Sequence, residues 1–311
     1  MKAQRQVWGE TLAELALTDS RVVVLDGDLA TSTRADIVAE KAPDAFIQIG
    51  IAEQNMVGMA FGMSTLGYRP WLSTFGVFLT HRALDQIRML VSQTKAPVRI
   101  AAAYSGLLNG SSGKTHQDIE DLAIMRAMPN MTVIAPADEY EAEAVVRWAA
   151  EYDGPVYIRF ARDAVEPVFE AGHIFVPGLP VELQKGEDVT LISTGVQSSR
   201  TLEAARLLAA DGVRAQVIHV PSIKPLDEIE LLGMIGAATH VITVEDHSRI
   251  GGLGGLISEI AAESASFRVT RIGLEDRWSE SAPNDFLLEK YGLSARRVAD
   301  SVRSAVALAT V

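Results

Sequence analysis

Cysteine is absent from the 311-residue sequence. Disulfides, thiolate nucleophiles and cysteine-based zinc or iron–sulfur sites are therefore excluded, and the redox compartment cannot be read from thiol usage. Positive charge is scarce as well, with 28 Lys and Arg against 40 Asp and Glu and a formal charge of −12 at pH 7. Nucleic acid and anionic membranes are bound by clustered cations that neutralise phosphates, so neither is an expected partner. No uncharged apolar stretch approaches the roughly 18 residues of a membrane span. Met1-Lys-Ala-Gln-Arg-Gln6 has no apolar signal core, which makes a cytoplasmic location the default expectation. Internal repeats, low-complexity tracts and long charge runs are also missing.

What is present suits a globular protein: 48% hydrophobic and 22% charged residues allow a large core and two domains of ordinary size. Short β-rich runs recur at Val22–Leu25, Phe46–Ile49, Val98–Ala101, Thr132–Ile134 and Val156–Ile158, with helix-period stretches between them. That alternation predicts a mostly parallel sheet covered by helices on both faces. One predicted helix, from about 52 to 66, carries Gly58 and Gly62, where another backbone or helix can approach closely. Pro167, Gly172, Pro177, Gly178 and Pro180 then interrupt both periods, so residues 166–185 read as a connection between domain 1–165 and domain 186–311. In the second domain, strands near 189–193, 215–220, 240–244 and 268–272 alternate with helices near 197–210, 226–235 and 253–262, and a helix near 295–308 closes it. The expected fold class is α/β, two doubly wound domains of which the second is smaller.

Ligands of open parallel sheets bind at the carboxyl ends of strands, and three such places carry polar or aromatic residues. Leu25-Asp-Gly-Asp-Leu-Ala-Thr-Ser-Thr33 ends a strand in two carboxylates and a hydroxyl-rich turn able to open a helix towards a phosphate. The same composition also serves ordinary turns and caps. Gln48-Ile-Gly-Ile-Ala-Glu-Gln-Asn-Met56 sets Glu53 at a strand-to-helix junction among apolar neighbours, where a carboxyl group tends to keep its proton. A glutamate in a first helical turn is equally explained by the helix dipole. In Ser73-Thr-Phe-Gly-Val-Phe-Leu-Thr-His-Arg-Ala-Leu-Asp-Gln-Ile87, Phe75 and Phe78 lie three apart, spaced for a stacking platform or for plain core.

Taken in order, Asp-Gly-Asp-Leu-Ala-Thr-Ser, Gly-Ile-Ala-Glu-Gln-Asn-Met, Ser-Thr-Phe-Gly-Val-Phe, Gly-Lys-Thr-His-Gln and Arg-Phe-Ala-Arg resemble the C-terminal half of transketolases over essentially the whole chain. The resemblance implies a thiamine-diphosphate pyrimidine-binding domain followed by the family's C-terminal domain, in which no catalytic residue can be named. It implies that Glu53 hydrogen-bonds the pyrimidine nitrogen, favouring the imino form whose nitrogen takes the thiazolium C2 proton. Phe75 and Phe78 match aromatic positions against the pyrimidine, His81 the place of a third aromatic, and Asp28 an acid near the cofactor. Arg5, Ser32 and Arg162 match positions that bind the sugar phosphate, a task suited to the paired N–H groups of guanidinium. His116, in Gly113-Lys-Thr-His-Gln117, matches a histidine that contacts the donor's hydroxyls and reacting carbonyl; a single histidine is otherwise usually structural.

The sequence also departs from that family. Gly110-Ser-Ser-Gly113 stands where an acidic loop helps choose hydroxyl configuration, and Tyr104 or Ser105 stands where another substrate histidine is common. The Gly-Asp-Gly and trailing Asn-Asn that hold a divalent ion against the diphosphate are missing. The resemblance therefore implies that Mg2+ or Ca2+ is bound mainly by a transketolase N-terminal subunit, in an α2β2 assembly acting on sugar phosphates. Its rivals are the beta subunit of a 2-oxoacid dehydrogenase, favoured by Asp85-Gln86-Ile87, and deoxyxylulose phosphate synthase, normally one longer chain. A dinucleotide-binding reading of Gly251-Gly-Leu-Gly-Gly255 fails on spacing.

Overall fold

The computed structural model describes residues 1–264 and 267–309. Its strands, in chain order, are β1 (Val22–Asp26), β2 (Phe46–Gln48), β3 (Arg69–Phe75), β4 (Arg99–Ala103), β5 (Thr132–Ile134), β6 (Val156–Arg159), β7 (Val181–Gln184), β8 (Val189–Ser193), β9 (Ala215–His219), β10 (Ser222–Lys224), β11 (His240–Ser248) and β12 (Arg268–Leu274). They form two sheets, ordered β10-β5-β6-β4-β3-β1-β2 and β12-β11-β8-β9-β7. Both are parallel except at one edge, where β10 runs against β5 and β7 against β9. The α/β class and the two mostly parallel sheets agree with the sequence pattern.

The central strands are apolar along their whole length because helices cover both faces: every residue of β1, β4, β8 and β9 is buried. On one face of the first sheet, helices Gln4–Thr18 and Glu139–Glu151 pack Trp8, Leu12, Val145 and Val146 against Val22, Val24 and Trp71. Helix Glu139–Glu151 starts where the Asp138 side chain accepts from the Tyr140 and Glu141 amides, and two glutamates in its first turn suit the helix dipole. The opposite face buries Met56, Leu79, Ile87 and Leu122 in a cluster shared with Ile192, Ile218, Val241 and Ile257 from the second half of the chain. The two sheets therefore have one core in common.

Chain crossing strengthens this union. After β9 the chain returns to the first sheet as β10, and Lys224 there donates to the carbonyls of Arg126 and Met128 at 3.1 and 2.6 Å. Strand β7 lies within the stretch 166–185 that composition marks as a connection, and it pairs with the second sheet. The expectation for Gly58 and Gly62 is not met within this chain: a Cβ at either would touch nothing within 4 Å. Their side of helix Glu53–Thr65 faces open space, because no described element packs there.

A buried ion pair also joins the halves. Glu141 accepts from the Ala137 amide at 2.7 Å, and its carboxylate lies 2.8 Å from His219 Nε2 on β9, with His173 on its other oxygen at 3.6 Å. Burial pushes the Glu141 carboxyl up, but the His219 charge and the hydrogen bonds from His219 and the Ala137 amide outweigh it and hold it at about 2. A carboxyl group whose folded pKa is depressed stabilises the fold above its unfolded value and loses that contribution as pH falls through the folded one. Stability is thus expected to drop between about pH 4.5 and about 2, by on the order of 3 kcal/mol from this group. Thermal melts across that range should show the decline in wild type and a flatter one in Glu141→Gln; equal slopes would remove Glu141 from the account.

Candidate active site

The parallel strands of the first sheet all end at one edge, and the site is assembled there. At the end of β1, Asp26 is buried, and its carboxylate accepts from the Leu29 amide at 2.9 Å and from Gln48 Nε2 at 3.1 Å. Burial raises the Asp26 carboxyl, against those hydrogen bonds. Gln48, ending β2, accepts in turn from the amides of Asp28 and Gly50 at 3.1 and 2.9 Å. One amide side chain therefore stitches the β1 turn to the segment leading into helix Glu53–Thr65.

Glu53 opens that helix and is 1% exposed. Arg82 Nη1 donates to both of its oxygens, at 2.8 and 2.9 Å, and the Arg82 guanidinium lies over the Phe78 ring, 4.5 Å from its centroid. Glu53 is thus held as an ion pair. The sequence reading of a carboxyl inclined to stay neutral among apolar neighbours did not include this cation.

Beyond β3 the chain winds into a π-helical turn, Phe78–Arg82, closed by the Ala83 amide on the Phe78 carbonyl at 3.1 Å. Phe75 and Phe78 stack at 5.9 Å and 18°, and Tyr104 stacks on Phe75 at 4.1 Å and 19°. His116 meets both phenylalanines edge-on, at 5.9 and 5.6 Å. The spacing that fits either core or platform thus makes an aromatic wall in which Phe75 and Tyr104 are buried and Phe78 is half-buried, with Glu53 beside one end of it and His116 across it.

The other end of the wall is cationic. Tyr104 has a left-handed backbone, φ 63°, uncommon for a residue with a side chain and a mark of functional sites. Its hydroxyl accepts from Arg5 Nη1 at 3.0 Å, and the Arg162 guanidinium lies 5.6 Å from its ring centroid. Arg5 also donates to the carbonyls of Arg162 and Ser32. Arg5, Ser32 and Arg162, distant in sequence, are therefore in one cluster. Two guanidinium groups beside a phenol suit a tetrahedral oxyanion.

Beneath the wall lies a buried polar network. Thr80 donates to Asp118 at 2.6 Å, and Gly76 is packed so closely that a Cβ would lie 2.5 Å from Ser105 Oγ. Arg159 Nε donates to both oxygens of Asp121, at 2.8 and 3.1 Å, and Tyr157 donates to Asp121 at 2.9 Å. Burial, then the charge of Asp121, raises Asp118 well above the usual carboxylate range. Burial works against the Arg159 cation, and Asp121 and Asp246 more than offset it.

The family model for the transketolase pyrimidine-binding domain matches residues 1–167, and that for the transketolase C-terminal domain matches residues 180–298. The chain belongs to the transketolase family. It is 42% identical over 304 residues to a putative transketolase C-terminal section of Methanocaldococcus jannaschii, covering 97% of this chain and 95% of that one. It is 34% identical to a 6-deoxy-6-sulfo-D-fructose transketolase subunit of a Clostridium species, covering 94% and 91% of the two chains. Among solved structures, a split-gene transketolase described as an inactive beta4 tetramer superposes with a TM-score of 0.91 at 42% identity, over 99% of both chains.

Of the residues that the transketolase resemblance singles out, two stand apart from the wall. His81 is rotated away from Phe75 and Phe78, because a π turn holds an extra residue, and it lies 3.5 Å from Glu120 instead. Asp28, with φ 67°, points an exposed side chain outward while its amide is held by Gln48. Arg82, Asp26 and Asp118 are the residues that sequence reasoning missed. Arg82 lies within the segment 73–87 without a role assigned from sequence, and the π turn sets it on Phe78 and Glu53. Removing Arg159 would leave Asp121 buried without its cation, so Arg159→Leu should destabilise the chain by about 3–5 kcal/mol. Urea unfolding with an unchanged slope and a lower midpoint is the expected result; a loss below about 1 kcal/mol, the range of an exposed pair, would contradict it.

Proposed function

We propose that this chain is the cofactor-activating subunit of a split, thiamine-diphosphate-dependent transketolase that moves a two-carbon ketol unit from a ketose phosphate to an aldose phosphate. The observation that carries the reading is how Glu53 and Phe78 are engaged: a planar, N–H-bearing cation is bound between a buried carboxylate and an aromatic face. An aminopyrimidine presents the same kind of flat edge of ring nitrogen and amino group. The residues therefore fit the cofactor's pyrimidine end, with Phe75 and Phe78 as wall, Glu53 as its polar contact, and Asp28 and His81 at the margins. When bound, the cofactor supplies the nucleophilic carbon that carries the ketol unit.

The same oxygens and ring face serve both ligands, so Arg82 must leave Glu53 when the pyrimidine arrives. Freed from that cation, Glu53 is the buried carboxyl group left to hydrogen-bond a ring nitrogen. Phe75 and Tyr104 exclude water along the wall. Arg5 and Arg162, with Ser32, bind the sugar phosphate, and His116, edge-on to the wall, orients donor hydroxyls.

Because Gly-Asp-Gly and a trailing Asn-Asn do not occur in these 311 residues, the proposed holder of the diphosphate and its Mg2+ or Ca2+ is a transketolase N-terminal subunit. Supporting this, a relative covering 97% of this chain is itself named a C-terminal section. The proposed arrangement is an α2β2 heterotetramer, with residues 1–165 binding pyrimidine and 186–311 forming the C-terminal domain.

The test is to assemble the chain with an N-terminal subunit, thiamine diphosphate and Mg2+, then screen ketose phosphates and a sulfonate-ended ketose against aldose phosphates. Ketol transfer should require both chains, and Glu53→Gln should lower kcat at least about 100-fold while leaving the circular dichroism spectrum unchanged. Full activity from this chain alone, or an active Glu53→Gln assembly, would overturn the reading; lipoyl reduction would point to a 2-oxoacid dehydrogenase.

A further inference from the structure

Among the described residues, the second half of the chain offers no group to the aromatic wall, yet it grips the loop that carries Tyr104 and His116. Asp246 on β11 accepts from the Leu107 amide at 3.0 Å, and the Ser248 amide donates to the Ile119 carbonyl at 2.7 Å. Ser279 donates to Gln117. The tightest point is Asn284, first residue of helix Asn284–Lys290. Its Oδ1 accepts from the Gly110 amide at 2.8 Å, and its Nδ2 donates to the Leu108 carbonyl at 3.3 Å and to Asp163 Oδ2 at 2.5 Å. Gly110 is so close that a Cβ there would stand 2.6 Å from Asn284 Oδ1.

Each of those partners leads to a site residue. Between Leu108 and Gly110 lies Asn109, whose Nδ2 donates to the His116 carbonyl at 3.1 Å, bracing the loop across its width. Asp163, at the other contact, accepts from Arg162 Nη1 at 3.0 Å. One amide side chain is thus bonded to the loop that presents His116 and to the carboxylate that orients Arg162. Only a side chain with both a donor and an acceptor can make this set of contacts.

We infer that Asn284 is a positioning residue: it fixes His116 and Arg162 at a set separation, so that the C-terminal domain determines how the substrate lies along the wall. This rests on the transketolase reading for what His116 and Arg162 touch, but the linkage itself is a property of this chain. Asn284→Ala removes all three hydrogen bonds. Asn284→Asp keeps an acceptor for Gly110 and sets a second carboxylate against Asp163. Combined with Asp163→Asn, it restores a donor and acceptor across the same gap with their positions exchanged.

In the complete assembly with thiamine diphosphate and Mg2+, Asn284→Ala and Asn284→Asp are expected to raise KM for the phosphorylated donor about tenfold, the worth of a hydrogen bond to a charged group, with kcat altered less than about threefold. The exchanged pair should recover most of that KM. In the isolated chain, the NMR signals of the His116 ring should shift in Asn284→Ala. Variants that only melt at lower temperature, with KM and the His116 signals unchanged, would overturn the inference. An inactive wild-type assembly would instead refute the transketolase reading, and the His116 signals would then decide the linkage.

Discussion

Glu53 is almost wholly buried, and among the described residues its carboxylate is matched by one group, the guanidinium of Arg82 at 2.8 Å. Truncating one partner of such a pair leaves an uncompensated charge in a poorly solvated place, so an ionised Glu53 needs a cationic or hydrogen-bonding partner against it. Arg82 is half-exposed and lies on a π turn, with solvent on its outer side. Glu53 opens a helix rooted in the core through Met56, Val57 and Ala60 and cannot follow it. The asymmetry makes Arg82 the exchangeable partner and Glu53 the fixed one. The rest of the structure holds the carboxylate in place and supplies the ring face beside it.

That support is layered. Parallel strands bring five separated segments to one edge of the first sheet, the Asp26–Gln48 bridge sets the approach to Glu53, and the Thr80–Asp118 contact ties the π turn to the network around Arg159. The C-terminal half closes the arrangement from behind through a common core and the clasp on residues 107–119. A domain with no reactive group of its own can in this way still shape the chemistry, because positioning acts through distance and angle.

The sequence made the fold class and most of its elements legible, since buried parallel strands are short apolar runs and helices carry their own period. Strand β7 was hidden because its four residues alternate in a half-buried edge setting amid prolines and glycines. The site was legible where spacing along the chain equals spacing in space: Glu53 at a helix start, Phe75 and Phe78 after a strand. The place of His81 beside Glu120 was not legible, because a π turn leaves no mark in residue spacing. Arg82 and Asn284 were invisible for a different reason, as their partners lie 29 residues away at Glu53 and 174 away at Gly110.

The most direct measurement is a structure of this chain assembled with its N-terminal partner, Mg2+ and thiamine diphosphate. The account predicts the Glu53 carboxyl group hydrogen-bonded to a pyrimidine nitrogen, the ring against Phe75 and Phe78, and the Arg82 guanidinium withdrawn from both. A bound cofactor with Arg82 still donating to both Glu53 oxygens would contradict it.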